Sequence, residues 1–227
     1  MMITTEYAIL PREPVFIYPS TTASMNTQHI AVGMKALSLV DPQLKQAYAE
    51  LGPPSPRIRP KGFETFLSTI VSQQISTEAA RAIMGRLKDC LPELSAGALL
   101  VTEDRVLRDA GLSFRKIEYA KGMAEAVVSG RFDIDGLVAM SDDDAIASIT
   151  AIRGFGRWSA EIYLMFSLQR QDIFPADYLA LRVAVGQLKN LPDKPSVKQA
   201  RELVAHWSPW RSVGSLFLWH YYRGAPT

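Results

Sequence analysis

From Phe63 onward the apolar residues of this chain recur at three- and four-residue spacing. They never settle into the strict alternation of a half-buried strand, so the core has to be built from helices. Phe63, Phe66, Leu67, Ile70 and Val71 form one face of a first helix, and Ser76 is placed to cap a second. Ser113 caps another, with the stripe Ile117, Ala120, Ala124, Val127 and Val128, and Gly130 at its end. Ser141 followed by Asp142, Asp143 and Asp144 puts a cap and three acids at a helix start, where they complement the exposed amides; that helix ends before Gly154. Further helices are predicted over 159–168, 178–188, 197–206 and 210–222. On the last of these Trp210, Val213, Phe217 and Tyr221 make the buried stripe, and Trp219 faces another way. The expected fold class is all-α.

Upstream, a helix is expected from about residue 29 to Leu51, followed by a linker, GPPSPRIRPKG (52–62), whose four prolines remove amide donors and fix the backbone. The linker divides the chain. Residues 63–170 should form a central helical lobe with a hairpin at 142–168. Residues 28–62 and 171–227 should form a second lobe from both chain ends, with a cleft between the two and an extended arm over 1–27. A hydrophobic content of 48% in 227 residues suffices for a buried core. The one cysteine, Cys90, excludes an internal disulfide and any four-cysteine zinc or iron–sulfur site made by this chain alone, and fits a reducing, intracellular setting. No run reaches the roughly 20 apolar residues of a membrane span. His29, His206 and His220 have no metal-ligand spacing, and a net charge of +2 leaves any nucleic-acid role to local chemistry.

That chemistry is concentrated in Ile149–Ala160. Gly154 and Gly156 permit a tight turn and close approach by another backbone, and a helix starting near Arg157 directs its first amides outward, with Arg153 and Arg157 beside them. Alone, a Gly-x-Gly turn describes any helix corner. About twenty residues on, Asp177 sits among apolar neighbours in FPADYLAL (174–181), either as the cap of a helix beginning at Tyr178 or as a functional acid. The two roles are compatible, since first-turn amides favour the ionised carboxylate.

Together, IRGFGRWSA (152–160) and FPADYLAL resemble the helix-hairpin-helix DNA glycosylase superfamily. Within it they resemble the DNA-3-methyladenine glycosylase II family, in a short form lacking the N-terminal β domain. FETFLSTIVSQQIST (63–77), GLSFRKIEYAKGMA (111–124) and HWSPWRSVGSLFLWHYYR (206–223) extend the resemblance over most of 63–222. The resemblance implies hydrolysis of the N-glycosidic bond of alkylated bases, of the 3-methyladenine and 7-methylguanine type, in duplex DNA, with Asp177 as catalytic carboxylate. It implies a base pocket of Trp158, Tyr178 and Trp219. DNA contacts are implied from Arg153, Gly154, Phe155, Gly156, Arg157 and Ser159, and a wedge from Gln73, Gln74 and Ile75, with Gln74 standing where larger members carry leucine. Members that also cut the strand carry a lysine where this chain has Trp158, so the expected enzyme is monofunctional. No cofactor is implied beyond a monovalent cation held by hairpin carbonyls. The expected protein is an intracellular monomer, in the cytoplasm or nucleoid of a bacterium or the nucleus of a eukaryote, without a membrane partner. Arg115, Lys116 and Lys121 read either as phosphate contacts or as solubilising charge. Two other readings remain open on the residues: a glycosylase for oxidised or mismatched bases, and a non-catalytic DNA-damage binding module.

Overall fold

The computed structural model describes residues 24–91 and 93–224. Most of the expected N-terminal arm therefore lies outside the described residues. Of its last four positions, Met25 is fully buried and Thr27 opens the first helix.

Among the described residues there are twelve α-helices, two short 3-10 helices and no strand. In chain order the α-helices are α1 (Thr27–Val40), α2 (Pro42–Leu51), α3 (Phe63–Ser72), α4 (Thr77–Cys90), α5 (Ala96–Val101), α6 (Asp104–Asp109), α7 (Phe114–Val128), α8 (Asp142–Thr150), α9 (Arg157–Phe166), α10 (Leu179–Leu188), α11 (Val197–Leu203) and α12 (Arg211–Gly224). Ser76, Ser113 and Ser141 each accept the third amide of the helix they start. Residues 52–62 contain no helix.

Four expectations need correction. The single helix predicted up to Leu51 is two, because Pro42 brings no amide hydrogen and the extended Asp41 caps α2 instead, accepting from the Leu44 amide. Val128, assigned to the stripe of α7, is exposed. The helix predicted over 197–206 stops at Leu203, and a 3-10 turn over Ala205–Trp207 follows. On α12 every residue from Ser212 to Trp219 is buried, so this helix runs through the interior and has no solvent face there. The sequence pattern also missed α5 and α6, each only 6 residues long.

Helices α1, α2, α10 and α12 pack on one another. Helix α3 packs on α4 and α7, with α5 and α6 against α7. The approach of α1 to α12 is close: a methyl group on Gly33 would lie 2.7 Å from the Trp210 ring. Helix α9 touches both groups. Its Tyr163 ring stacks on Phe66 of α3 at 4.1 Å, and its Phe166 ring lies 5.6 Å from Trp219 of α12. The linker follows α9, with the Arg59 amide donating to the Phe166 carbonyl and the Gly62 amide to the Tyr163 hydroxyl.

The joint between α1 and α2 is tied to the C-terminal helices by one buried carboxylate. Asp41 has no exposed surface, and its Oδ2 accepts from Lys189 Nζ at 2.6 Å and from the Trp207 indole at 2.6 Å, with His206 Nε2 at 3.2 Å. Burial alone would raise its pKa, but the hydrogen bonds from Lys189, the Leu44 amide and Trp207 outweigh it and hold the carboxyl below its ordinary 3.8. Asp41→Ala is expected to cost about 3–5 kcal/mol in urea unfolding at pH 7, because it strands the Lys189 charge. With a depressed folded-state pKa, Asp41 stabilises the fold above 3.8 and progressively less as pH falls through the folded value. The gap between wild type and Asp41→Ala should therefore narrow in acid; a gap that widens would contradict this assignment.

Candidate functional site

The turn between α8 and α9 is shaped by its two glycines in different ways. Gly154 has φ 98°, and a methyl group there would lie 2.7 Å from the Tyr119 ring of α7, so only glycine fits. Gly156 has an ordinary φ of −102° and nothing within 4 Å of where a methyl group would stand, which leaves open space at the start of α9. Among the described residues no side chain caps α9, which leaves its opening amides and the positive end of its dipole to face an anion. Arg153 pairs with Glu118 and lies 5.7 Å from the Tyr119 ring, and Arg157 donates to Glu161. Phe155 and Ser159, both predicted at this surface, have buried side chains. Phe155 instead packs edge-on against Phe66 at 5.4 Å and anchors the turn.

Asp177 is exposed and lies two residues before the start of α10, whose N-cap is Tyr178. The expectation that it caps that helix is corrected: its observed partner is Arg201 of α11, whose Nη2 donates to Oδ2 at 3.2 Å. The same nitrogen donates to Glu161 Oε1 at 3.2 Å, and Arg157 Nε donates to that oxygen at 2.8 Å. A chain of charge therefore runs from the hairpin helix to the acid, Arg157 to Glu161 to Arg201 to Asp177. Glu161 is only 3% exposed. Burial raises its pKa, and the Arg157 hydrogen bond and both guanidinium charges offset this only in part, while Asp177 adds to the rise. A cavity of about 310 Å³ opens alongside, lined by Arg157, Glu161, Arg201, Asp172 and Arg211 among others.

The predicted pocket aromatics come together beside the acid. Trp158 and Tyr178 stack with their centroids 6.2 Å apart, and Tyr178 meets Trp219 edge-to-face at 5.4 Å. Trp158 is 37% exposed and Trp219 only 9%, so the group grades from solvent inward. The linker adds two arginines that the sequence reading left unassigned. Arg57 and Arg59 lie 5.1 and 5.8 Å from the Phe166 ring, and Arg59 loses basicity through burial and then through Arg57, with Tyr178 opposing the loss.

The predicted wedge lies outside the helix. Helix α3 ends at Ser72, and Gln74 stands exposed beyond it in the left-handed region at φ 59°. Such a conformation costs a non-glycine residue about 1–2 kcal/mol and has to be held by its surroundings. Gln73 supplies part of that hold by donating to the Gly154 carbonyl at 2.8 Å, which ties the segment to the hairpin turn. Ile75 is 38% exposed. Lys116 donates to the Val71 carbonyl at the end of α3, Lys121 pairs with Asp104, and Arg115 donates to the Tyr119 hydroxyl, so all three basic residues have partners within the protein.

Sequence reasoning missed Glu161 and Arg201. Glu161 lies four residues after Arg157 on one helix, a spacing that signals an ion pair. Arg201 gave no signal: it sits 24 residues beyond Asp177 on a different helix, and only the fold brings it there.

The two glycines make a paired test. Gly154→Ala should lose about 1–3 kcal/mol of stability from strain and the clash with Tyr119, whereas Gly156→Ala should stay within about 0.5 kcal/mol. Equal losses in urea unfolding would refute the division of roles.

Comparison with known proteins places this geometry. Residues 67–209 match the model of the HhH-GPD superfamily base excision DNA repair proteins. The chain is 32% identical over 165 residues to DNA-3-methyladenine glycosylase 1 of Schizosaccharomyces pombe, covering 69% of this chain and 71% of that protein. Among solved structures, a 3-methyladenine DNA glycosylase of S. pombe in complex with abasic DNA superposes with TM-score 0.75 at 28% identity, over 86% of this chain and 98% of that one. A DNA-3-methyladenine glycosidase of Bacillus halodurans superposes with TM-score 0.76 at 32% identity, over 85% of this chain and 89% of that one. The turn at Gly154–Gly156 and the acid that follows it lie within the matched span, and the chain belongs to the HhH-GPD superfamily of base excision DNA repair proteins.

Proposed function

We propose that this protein is a monofunctional glycosylase that removes alkylated bases from duplex DNA in base excision repair. The observation that carries this reading is the exposed carboxylate of Asp177, next in sequence to Tyr178 of the Trp158–Tyr178–Trp219 group and linked to the hairpin helix through Arg201 and Glu161.

The uncapped start of α9 and Arg157 receive a backbone phosphate, and Arg153 adds positive charge nearby. The damaged nucleotide turns out of the stack at a cost of about a few kcal/mol, and the Gln73–Ile75 segment fills the gap that it leaves. A base alkylated at N3 or N7 carries positive charge, which favours stacking on electron-rich rings, so the three aromatics select it over a neutral base. Such a base is already a good leaving group. As the C1′–N bond breaks, its electron pair leaves with the base, which departs neutral, and positive charge grows on the sugar. Asp177 stabilises that charge and accepts the proton of the water that attacks C1′, leaving an abasic site. Trp158 stands where strand-cutting members have an amine. An indole forms no Schiff base, so the strand should stay intact.

A hard monovalent cation also fits the hairpin turn. The Ile152 and Gly154 carbonyls each accept one hydrogen bond, which leaves each a second lone pair. Such an ion would contribute charge toward a phosphate. We take the working enzyme to be a monomer.

Asp177→Asn should reduce base release from methylated duplex at least about 100-fold in single-turnover assays, with folding and DNA affinity retained. Wild-type product should show strand breaks only after alkali. Undiminished release by the variant would remove Asp177 from the mechanism, and breaks without alkali would remove the monofunctional assignment.

A further inference from the structure

We infer that Arg201 covers the Asp177 carboxylate in the free protein, and that Glu161 takes Arg201 over when Arg157 turns to a DNA phosphate. The Asp177 carboxylate then faces the site without a cation against it only on DNA. The inference rests on the function proposed above and adds to its site a removable cover, Arg201, and the group that draws it off, Glu161; Arg201 itself takes no part in catalysis or DNA binding.

The present arrangement of charges leaves Arg201 and Glu161 incompletely satisfied. One nitrogen of Arg201 is shared between Glu161 Oε1 and Asp177 Oδ2, each at 3.2 Å, longer than the roughly 2.7–2.9 Å of a well-formed charged hydrogen bond. Glu161 receives both arginines on Oε1, while its buried Oε2 has no hydrogen-bond partner among the described residues. A carboxylate can take a guanidinium on both oxygens at once, and an unpaired buried oxygen favours any movement that supplies a donor. Burial keeps the Glu161 carboxyl above its usual range despite the two arginines, so a second donor would relieve it further.

Arg157 is the member that DNA can reach. It is the first residue of α9, beside the open space at Gly156, and its side chain is 50% exposed. A phosphate that draws off its guanidinium leaves Oε1 to Arg201 alone. Arg201 and Asp177 are 35% and 39% exposed and have room to separate, whereas Glu161 is enclosed and stays in place. The chemistry requires that separation. A guanidinium on Asp177 cancels the charge that must stabilise the cationic sugar, and it repels the sugar itself.

The test compares Glu161→Gln, Arg201→Gln and the double variant on duplex containing 7-methylguanine, in single turnover at saturating protein. A second readout is the relative affinity for duplexes carrying a cationic pyrrolidine or a neutral tetrahydrofuran in place of the nucleotide. Glu161→Gln holds Arg201 less well, so the guanidinium stays on Asp177. The rate should fall about tenfold or more, and the preference for the cationic duplex should shrink, with the neutral duplex bound as before. Removing the cover with Arg201→Gln in the same chain should restore both. The proposal is overturned if the double variant is as slow as Glu161→Gln, or if Arg201→Gln alone is slowed about tenfold, since Arg201 would then serve the carboxylate instead of covering it. Should Glu161→Gln not fold by circular dichroism, Glu161→Asp keeps the charge but shortens its reach, and the same rescue by Arg201→Gln is required. Asp177→Asn as a control separates the two failures: an active Asp177→Asn refutes the function, whereas an inactive one without rescue refutes only the exchange.

Discussion

Helix α9 has to satisfy two packing surfaces at once. From Ser159 to Phe166 every residue is buried. Phe155 and Tyr163 meet Phe66 of α3, and Phe166 meets Trp219 of α12. A ten-residue helix enclosed in this way has little freedom to rotate or slide, because interiors packed to crystal density do not deform continuously. Its position fixes the hairpin turn at its start, and the linker running along it is fixed by the Arg59 and Gly62 amides. Everything the site uses, from the glycine turn to the aromatic group, is placed relative to this helix.

The same enclosure explains the concentration of charge at the first turns of α9. A carboxylate as buried as Glu161 survives only with cationic partners, and Arg157 and Arg201 approach it from its own helix and from α11. Asp41 is the counterpart in the other group of helices, where Lys189, Trp207 and His206 converge on one oxygen. The two differ in a way that matches their places. Both oxygens of Asp41 have partners, and its carboxyl is held below the ordinary value; Glu161 keeps one oxygen without a hydrogen-bond partner among the described residues, and its carboxyl is held above it. The first arrangement secures a joint. The second leaves a charge next to the Arg201–Asp177 pair incompletely satisfied, and Gln74 in its left-handed conformation is a strained residue tied to the hairpin through its neighbour Gln73.

Much of the fold is legible in the sequence. The serine caps at 76, 113 and 141, the proline-rich linker and the glycine turn are local devices, decided by a few consecutive residues, and they lie where the sequence indicates. The aromatic group was legible through its motif: Trp158, Tyr178 and Trp219 are far apart in sequence and do meet. Errors were of two kinds. The break at Asp41-Pro42 is itself local, and periodicity across residues 29–51 masked it, whereas on α12 the stripe read from spacing understates a burial that packing by α1, α2 and α10 extends to every residue from Ser212 to Trp219.

What the sequence determined by itself was the helical class, the caps and the hairpin, with Asp177 next to an aromatic residue of the following helix start, because these depend on backbone preference and on short motifs. Tertiary structure alone decided which groups surround that acid. Arg201 faces Asp177, and Gln73 reaches the Gly154 carbonyl, only because helices distant in sequence are packed side by side. Pairings of that kind are set by the burial of large apolar surfaces elsewhere, and no run of neighbouring residues encodes them.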